Sequence, residues 1–480
     1  MAFALGAPMP VTADYRADPM FQALGPEFAD VVAPADFPTT AIRYRNDRAA
    51  TTVGLEALTD DEWRAHFARF EPLPANQPNC LALRYHGHQF RAYNPDLGDG
   101  RGFLFAQLRE RGRNRLLDLG TKGSGRTPWS RGGDGRLTLK GGVREVLATA
   151  MLEALGVPTS RSFSLIETGE ALERSDEPSP TRAAVLTRLS HSHIRFGTFQ
   201  RLAALERPDL LTTLMNHVIE VYEPALRNDP KPAPALLGVI VRRCARLTAS
   251  WMAAGFVHGV LNTDNMNING ESFDYGPYRF LPRNDPNFVA AYFDHSGLYA
   301  FGRQPEAVLW NLQQLAGALS TICPADSLVE PLNGFSEAYR AELAATITAR
   351  LGVKPQSAED DIGLANAAFT ALATGGEALR WEPFFFDWFG GTASQSRALA
   401  GPRGDIYGGS AFVAFRERLS QRKCDRPERL DHAYFTRPEP EELLYDEIEA
   451  IWAAIAKDDD WAPFKAKLIG IETAGQAWGF

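Results

Sequence analysis

His258-Gly259-Val260-Leu261-Asn262-Thr263-Asp264-Asn265 is followed, nine residues after Asn265, by Asp274-Tyr275-Gly276. The two segments put a side-chain carbonyl, Asn265, and a carboxylate, Asp274, on successive loops. Both are hard oxygen donors of the kind that hold Mg2+ or Mn2+ while phosphate oxygens complete the shell. A second carboxylate, Asp264, stands immediately before Asn265. Any one of these aspartates alone reads as a solvated loop residue or a helix cap. The ordered set carries more.

The set lines up with the protein-kinase catalytic loop, H-R-D-L-x-x-x-N, and the later D-F-G. His258 and Leu261 match, Asn265 falls on the metal-binding asparagine, and Asp274-Tyr275-Gly276 takes the place of D-F-G. One position breaks the pattern. The catalytic base would fall at Val260, and valine accepts no proton. Asp264 is a carboxylate able to act as base from a different angle, provided the nucleotide lies differently.

The residues upstream supply matching parts. Phe103 to Leu108 and Leu116 to Lys122 read as a strand pair turning near Arg111-Gly112. Val143, Val146, Leu147, Ala150, Met151, Ala154 and Leu155 keep one helical face, which Gly156 and Pro158 end. Lys122 thus closes a strand and Glu145 opens the following helix, the arrangement that sets a kinase lysine on phosphates. The alternative is an incidental surface pair. Gly98-Asp99-Gly100-Arg101 is a turn whose glycines let backbone N–H groups approach an anion. Arg188 and Arg195 lie among apolar neighbours, where a guanidinium needs a partner. That partner is either a structural carboxylate or a triphosphate.

Strand-like runs follow at Ser162 to Ile166 and Ala183 to Leu189, and helices dominate after residue 206. Leu237, Val241, Cys244, Thr248 and Trp251 line one long helix. Ala307 to Leu319 and Leu444 to Ile455 mark two more, and Trp63, Phe67 and Phe70 mark one amphipathic helix near the start. A strand-rich half followed by a helix-rich half predicts an α+β, protein-kinase-like bilobal fold with a cleft between its lobes. The expected divisions are an N-terminal extension (1–90), an N-lobe with nucleotide-binding elements (91–205), a helical C-lobe with the catalytic and metal loops (206–400) and a C-terminal helical extension (401–480).

Composition narrows the function. Net charge is −9 over 480 residues, which argues against nucleic acid as a partner. No apolar run approaches the ~18 residues of a membrane span, and Met1 to Pro10 lacks the basic start of a secretory signal. The four cysteines, Cys80, Cys244, Cys323 and Cys424, are dispersed and fit a reducing compartment. A cytoplasmic location is expected. His86-Gly87-His88 and His191-Ser192-His193 read as hydrogen-bonded structural histidines, each pair lacking a nearby third ligand.

Several segments together resemble one family. They are His88-Gln89-Phe90, Leu97-Gly98-Asp99-Gly100-Arg101, Lys122-Gly123-Ser124-Gly125, Arg131-Gly132-Gly133-Asp134-Gly135-Arg136, Arg144-Glu145, Ile194-Arg195-Phe196-Gly197, and the Asn262–Met266 and Asp274–Pro277 segments. They are similar to the selenoprotein O family, pseudokinase-like protein adenylyltransferases that bind ATP in a flipped orientation. The resemblance runs in order from about residue 85 to 320.

The resemblance implies nucleotide contacts from Gly98, Gly100, Arg101, Lys122, Asp134, Gly135, Arg188, Arg195 and Asp274. It implies a Lys122–Glu145 ion pair, Asp264 as proton acceptor, and Asn265 and Asp274 as ligands of Mg2+ or Mn2+. The implied reaction carries AMP from ATP to Ser, Thr or Tyr hydroxyls of proteins, releasing pyrophosphate. Other readings of the same residues are UMP transfer with Mn2+, a kinase-fold phosphotransferase, and a nucleotide-binding scaffold without catalysis. Two features depart from the family: Lys140-Gly141-Gly142 stands where serines are usual, and the sequence closes on Ala477-Trp478-Gly479-Phe480 rather than near a cysteine or selenocysteine.

Overall fold

The computed structural model describes residues 11–175 and 177–480, so the Met1 to Pro10 reading lies outside the described residues. Strands and helices are mixed, and the chain divides into two compact units. One comprises the described residues up to Val146 with Ser160–Ala233 and Asn267–Glu271. The other comprises Leu147–Thr159, Pro234–Met266 and Ser272–Phe480.

The first unit is built on an antiparallel sheet. Its strands are β1 (Ala29–Val32), β2 (Ala41–Arg45), β3 (Cys80–Leu83), then β6 (Leu104–Arg109), β7 (Leu116–Lys122), β8 (Leu137–Thr138), β9 (Arg161–Leu172) and β10 (Thr181–Ser190). A separate small pair, β4 (Gly87–Gln89) and β5 (Ala92–Asn94), lies between β3 and β6 in the chain. Spatial order in the sheet is β1-β3-β6-β7-β10-β9-β2, with β8 on β10. Three of these strands come from residues 29–83. They are four or five residues long and Pro-flanked, which leaves little alternation to read.

The predicted hairpin is β6–β7, with Leu108 opposite Leu117 and Gly112 in the left-handed region. β9 and β10 run longer than their apolar cores. The sequence turns polar at Glu167, but that carboxylate is paired across strands with Arg182 at 2.6 Å and Arg43 at 2.7 Å, so the ladder continues.

Helices α1 (Asp47–Thr51) and α2 (Asp60–Phe67) cover one face of this sheet's core. α2 starts in a capping box between Thr59 and Glu62. It buries Trp63 and Phe67, the Trp63 indole stacking on Phe163 at 5.0 Å and donating to Ser164 Oγ at 2.8 Å. Phe70 lies beyond this helix. It adopts φ +55 and turns its ring edge-on to Phe103 and Phe105, so packing rather than helical period places it.

α3 (Leu139–Ala154) is the predicted helix, ended by Gly156 at φ +76, and the unit boundary falls within it after Val146. α4 (Phe196–Ala204) and α5 (Pro208–Tyr222) complete the first unit.

The second unit is mainly helical. It holds most of α6 (Pro232–Ala253), then α7 (Gln304–Leu319), α8 (Val329–Arg350), α9 (Ala358–Gly375) and α10 (Trp381–Trp388), with shorter helices before Tyr445–Asp458 and Ala462–Trp478. One of its cores gathers Trp381, Phe384, Phe385, Trp388 and Phe415 with apolar faces of α8 and α9. Between α6 and α7 the chain is mostly loop, with one short pair, β11 (Phe256–Val257) on β12 (Arg279–Phe280). The His258–Asn265 and Asp274–Gly276 segments lie within that stretch. No helix among the described residues is long and apolar enough to cross a membrane.

Candidate active site

In the first unit Lys122 ends β7 and points to α3, where its Nζ donates to Glu145 Oε2 at 2.6 Å. Both side chains are nearly fully buried, so the pair is no surface accident. Glu145 Oε1 also faces Arg188 Nη1 at 3.4 Å, so one carboxylate serves two cations. β10 pairs with β7 through Arg188↔Gly120 and Leu186↔Lys122, and that register brings the two basic residues together.

Arg195 caps the start of α4. Its Nη2 lies 3.4 Å from Asp99 Oδ1 and its guanidinium lies over the Tyr85 ring at 4.6 Å. Asp99 stands within the glycine turn, and nothing local in the sequence shows its role. Its backbone N–H donates to Leu83, and its Oδ2 accepts from the Leu83 N–H at 3.1 Å. Burial pushes the Asp99 carboxyl up, against the pull of Arg195 and the Leu83 N–H. Both arginines therefore have structural carboxylates within reach, each at the long end of hydrogen-bonding distance.

The glycines of the 98–101 turn have a packing reason. A Cβ on Gly98 would meet Trp129 Cγ at 2.3 Å, and one on Gly100 would meet the Trp129 carbonyl at 2.8 Å. Thr127 Oγ1 donates to the Asp99 carbonyl at 2.6 Å and Ser130 Oγ to the Gly100 carbonyl at 2.5 Å. The Arg101 side chain is exposed, with no hydrogen bond or ion pair among the described residues.

Gly135 is at φ +71, where a Cβ would overlap the Gly125 carbonyl at 2.2 Å. Asp134 takes a two-point contact from Arg174, at 2.8 and 3.1 Å, and accepts from the Arg136 N–H at 2.9 Å. Burial pushes its carboxyl up, but those donors outweigh it and hold it below the usual carboxylate range. Asp134 lines an open cavity of about 450 Å³ with Arg126, Arg136 and Glu170.

In the second unit His258 organises the loops. Its ring Nε2–H donates to the Phe273 carbonyl at 3.0 Å, which fixes the tautomer, and its own N–H donates to Gln304 Oε1. Trp251, Phe256 and Tyr275 surround the ring. Gly259 turns at φ +85, and Thr263–Asn265 forms a short 3-10 turn in which Asp264 is buried. Asn262 begins this turn: its carbonyl accepts the Asn265 N–H at 3.0 Å, and its side-chain oxygen accepts from Tyr299 OH at 2.8 Å. The residue 37 positions on left no trace in the sequence pattern.

Asp274 adopts φ +64, a conformation in which a non-glycine residue needs outside support. Support comes from both sides. Trp251 Nε1 donates to Ser272 Oγ at 3.0 Å, the Ser272 N–H donates to the Pro158 carbonyl at 2.9 Å, and the Thr159 and Tyr275 hydroxyls meet at 2.5 Å. Asp264 and Asn265 thus share one turn, and Asp274 follows a residue pinned by His258.

The donor chemistry suits a divalent cation. Asn265 and Asp274 offer hard oxygens, and no group of three His, Cys, Asp or Glu residues gathers for a metal among the described residues. Few protein ligands with phosphates completing the shell is the usual manner of Mg2+. The two histidine pairs have other partners: His86 Nδ1 with Tyr93 OH at 2.6 Å, His88 Nδ1 with Gln200 at 2.8 Å, and His193 with Asp118 at 3.3 Å. The cysteines are all free.

Residues 11–471 match the family described as protein adenylyltransferase SelO. The chain is 45% identical over 470 residues to the protein nucleotidyltransferase YdiU of Synechocystis, covering 93% of this chain and 96% of that one. The relative of the same name from Gloeobacter violaceus is 46% identical over 471 residues, with 93% of each covered. That from Vibrio cholerae is 39% identical over 340 residues, 71% of this chain and 68% of the other.

Proposed function

The chain belongs to the SelO family of protein adenylyltransferases and is a nucleotidyltransferase, and from that premise we propose that it moves AMP from ATP to Ser, Thr or Tyr hydroxyls of proteins. The fold is read as kinase-like, on the strength of the Lys122–Glu145 pair between β7 and α3 and the ordered loops around His258.

In this reading the acceptor hydroxyl oxygen attacks the α-phosphorus of ATP. Its proton passes to the Asp264 carboxylate, the bond from the α-phosphorus to the bridging oxygen breaks, and pyrophosphate leaves. Lys122, Arg188, Arg195 and Arg101 neutralise the phosphates, with Gly98, Gly100, Asp134 and Gly135 shaping the nucleotide contacts. Asn265 and Asp274 would hold Mg2+ or Mn2+, which when bound lowers the charge on the transferring group. Glu145 orients Lys122.

The observation that carries the reading is the placement of Asp264. Val260 removes the kinase base, while Asp264 is buried on the turn it shares with Asn265. A base displaced by four positions suits a reacting phosphorus other than the γ-phosphorus.

Incubation with Mg2+ or Mn2+ and ATP labelled separately at the α and γ phosphates tests it, with Asp274→Ala alongside. Label transferred to protein from α-labelled ATP alone, and lost in the variant, is expected. Label from γ-labelled ATP alone would make the protein a phosphotransferase. Parallel runs with α-labelled UTP decide between AMP and UMP.

A further inference from the structure

Tyr292 is 80% exposed, the most exposed large hydrophobic side chain among the described residues. Phe293 beside it is 42% exposed, and the two rings meet edge to face at 5.1 Å. Single exposed apolar residues are ordinary on protein surfaces, but two adjacent aromatics presented to water ask for a reason.

Their mounting is rigid. Asp294, itself buried, accepts from the Leu298 N–H at 2.9 Å through Oδ1 and from the Tyr299 N–H at 2.8 Å through Oδ2. Its own N–H donates to the Ala291 carbonyl at 3.0 Å, and the Phe301 N–H closes the loop on the Phe288 carbonyl at 3.0 Å. The aromatic pair is therefore held out by a hydrogen-bonded scaffold.

That scaffold is joined to the catalytic turn at two places within the same unit. A Cβ added to Gly259 would lie 3.1 Å from the Ala290 Cβ and 3.6 Å from the Ala291 nitrogen, so the residues just before Tyr292 pack on the backbone that leads to Asp264. On the other side Tyr299 donates to Asn262, the residue that opens the Asp264–Asn265 turn.

We infer that Tyr292 and Phe293 form a docking surface for the acceptor polypeptide, taking an apolar side chain close in sequence to the hydroxyl that is modified. This rests on the AMP-transfer reading above. The occupant is the acceptor protein rather than a second copy of this chain, because the loop that carries the pair packs on the Gly259 backbone and bonds to Asn262, on either side of the turn at which the acceptor must arrive. Aromatic side chains are the residue type that most often anchors such contacts, giving large area at little cost in side-chain freedom.

The test uses the full chain, α-labelled ATP with Mn2+, and two alanine-based decapeptides containing one serine. One carries Phe two residues from the serine and the other carries Asp there. The native protein is expected to label the Phe peptide roughly tenfold faster, the size of one good aromatic contact. The Tyr292→Ala/Phe293→Ala variant brings that ratio to near one, and Tyr292→Phe restores it. Both positions are solvent-facing, so folding of the variants is checked simply by thermal denaturation.

Equal labelling of the two peptides by the native protein, or an unchanged ratio in the double variant, overturns the inference. So does a dimer in sedimentation that the double variant dissolves, since the face would then be covered by a second copy. Pyrophosphate release by the native protein in the presence of the two peptides separates the two levels. Its presence with no peptide preference sinks the docking surface alone, and its absence sinks the AMP-transfer reading together with it.

Discussion

Lys122 Nζ and Glu145 Oε2 lie 2.6 Å apart, the lysine at the last position of a strand and the glutamate within the first turns of α3. The geometry follows from β6–β7 pairing, which delivers Lys122 at the strand end, and from the apolar face of α3, which turns Glu145 inward. A buried ion pair of this kind contributes little net stability of its own, because desolvation offsets attraction. Its consequence is orientation: the ammonium is held at one point against the Glu145 carboxylate.

Removing only the carboxylate should therefore be costly. Glu145→Gln leaves Lys122 and Arg188 facing a neutral amide in a buried place, and a loss of about 3–5 kcal/mol in unfolding free energy is expected. Denaturant titration measures it. Tripolyphosphate should recover part of the loss in the variant and stabilise the native protein less, because an added polyanion takes over the missing charge.

His258 is placed to act on Asp274 through the Phe273 carbonyl. His258→Ala removes that donor and loosens the backbone that keeps Asp274 in the left-handed region. On the proposed role of Asp274 as a metal ligand, the Mn2+ concentration giving half-maximal label transfer should rise roughly tenfold or more, the usual effect of losing a group that orients such a ligand. A metal titration at saturating ATP checks this, and a variant that keeps the native half-saturation point would remove His258 from any positioning role.

The legible parts of the fold were those with long periodic patterns. The β6–β7 hairpin and α3 stand where apolar spacing places them, because both bury a continuous face. The sequence shows β9 only as far as Ile166, since nothing local reveals that Glu167 is neutralised by Arg43 and Arg182 from neighbouring strands. The site divides in the same way. Asp264, Asn265 and Asp274 were readable as an ordered motif, being close in sequence. Asp99 as partner to Arg195, Tyr299 as partner to Asn262, and Trp129 as the reason for Gly98 were not, because each depends on residues that only tertiary folding brings together.

The Gly98–Trp129 contact gives its own measurement. A methyl group at position 98 must displace the indole, which is itself tied to Asp30 through Nε1 at 2.9 Å. Gly98→Ala should cost about 1–3 kcal/mol by overpacking. Trp129→Leu should remove most of that penalty, so that the two changes are strongly non-additive in a double-mutant cycle. Additive costs would mean that the glycine is required for something other than room for the ring.

Glu271 makes stability depend on pH. Burial pushes its carboxyl up from 4.5 to about 7, against the His191 N–H, which donates to Oε2 at 2.7 Å, and against Arg115 and Arg161, with Asp118 adding to the rise. The folded state therefore holds this proton more tightly than the unfolded chain, so stability falls as pH rises. The contribution is fully present below about 4.5 and is lost as pH climbs through about 7. Glu271→Gln keeps an oxygen for the His191 N–H and has no proton to lose. The native protein and the variant should therefore diverge from pH 5 upward, the variant being the more stable by up to about 3 kcal/mol near pH 8. Urea titrations of both proteins at pH 5, 6, 7 and 8 measure the divergence, and parallel curves across that range would show that Glu271 ionises in the folded protein as it does in water.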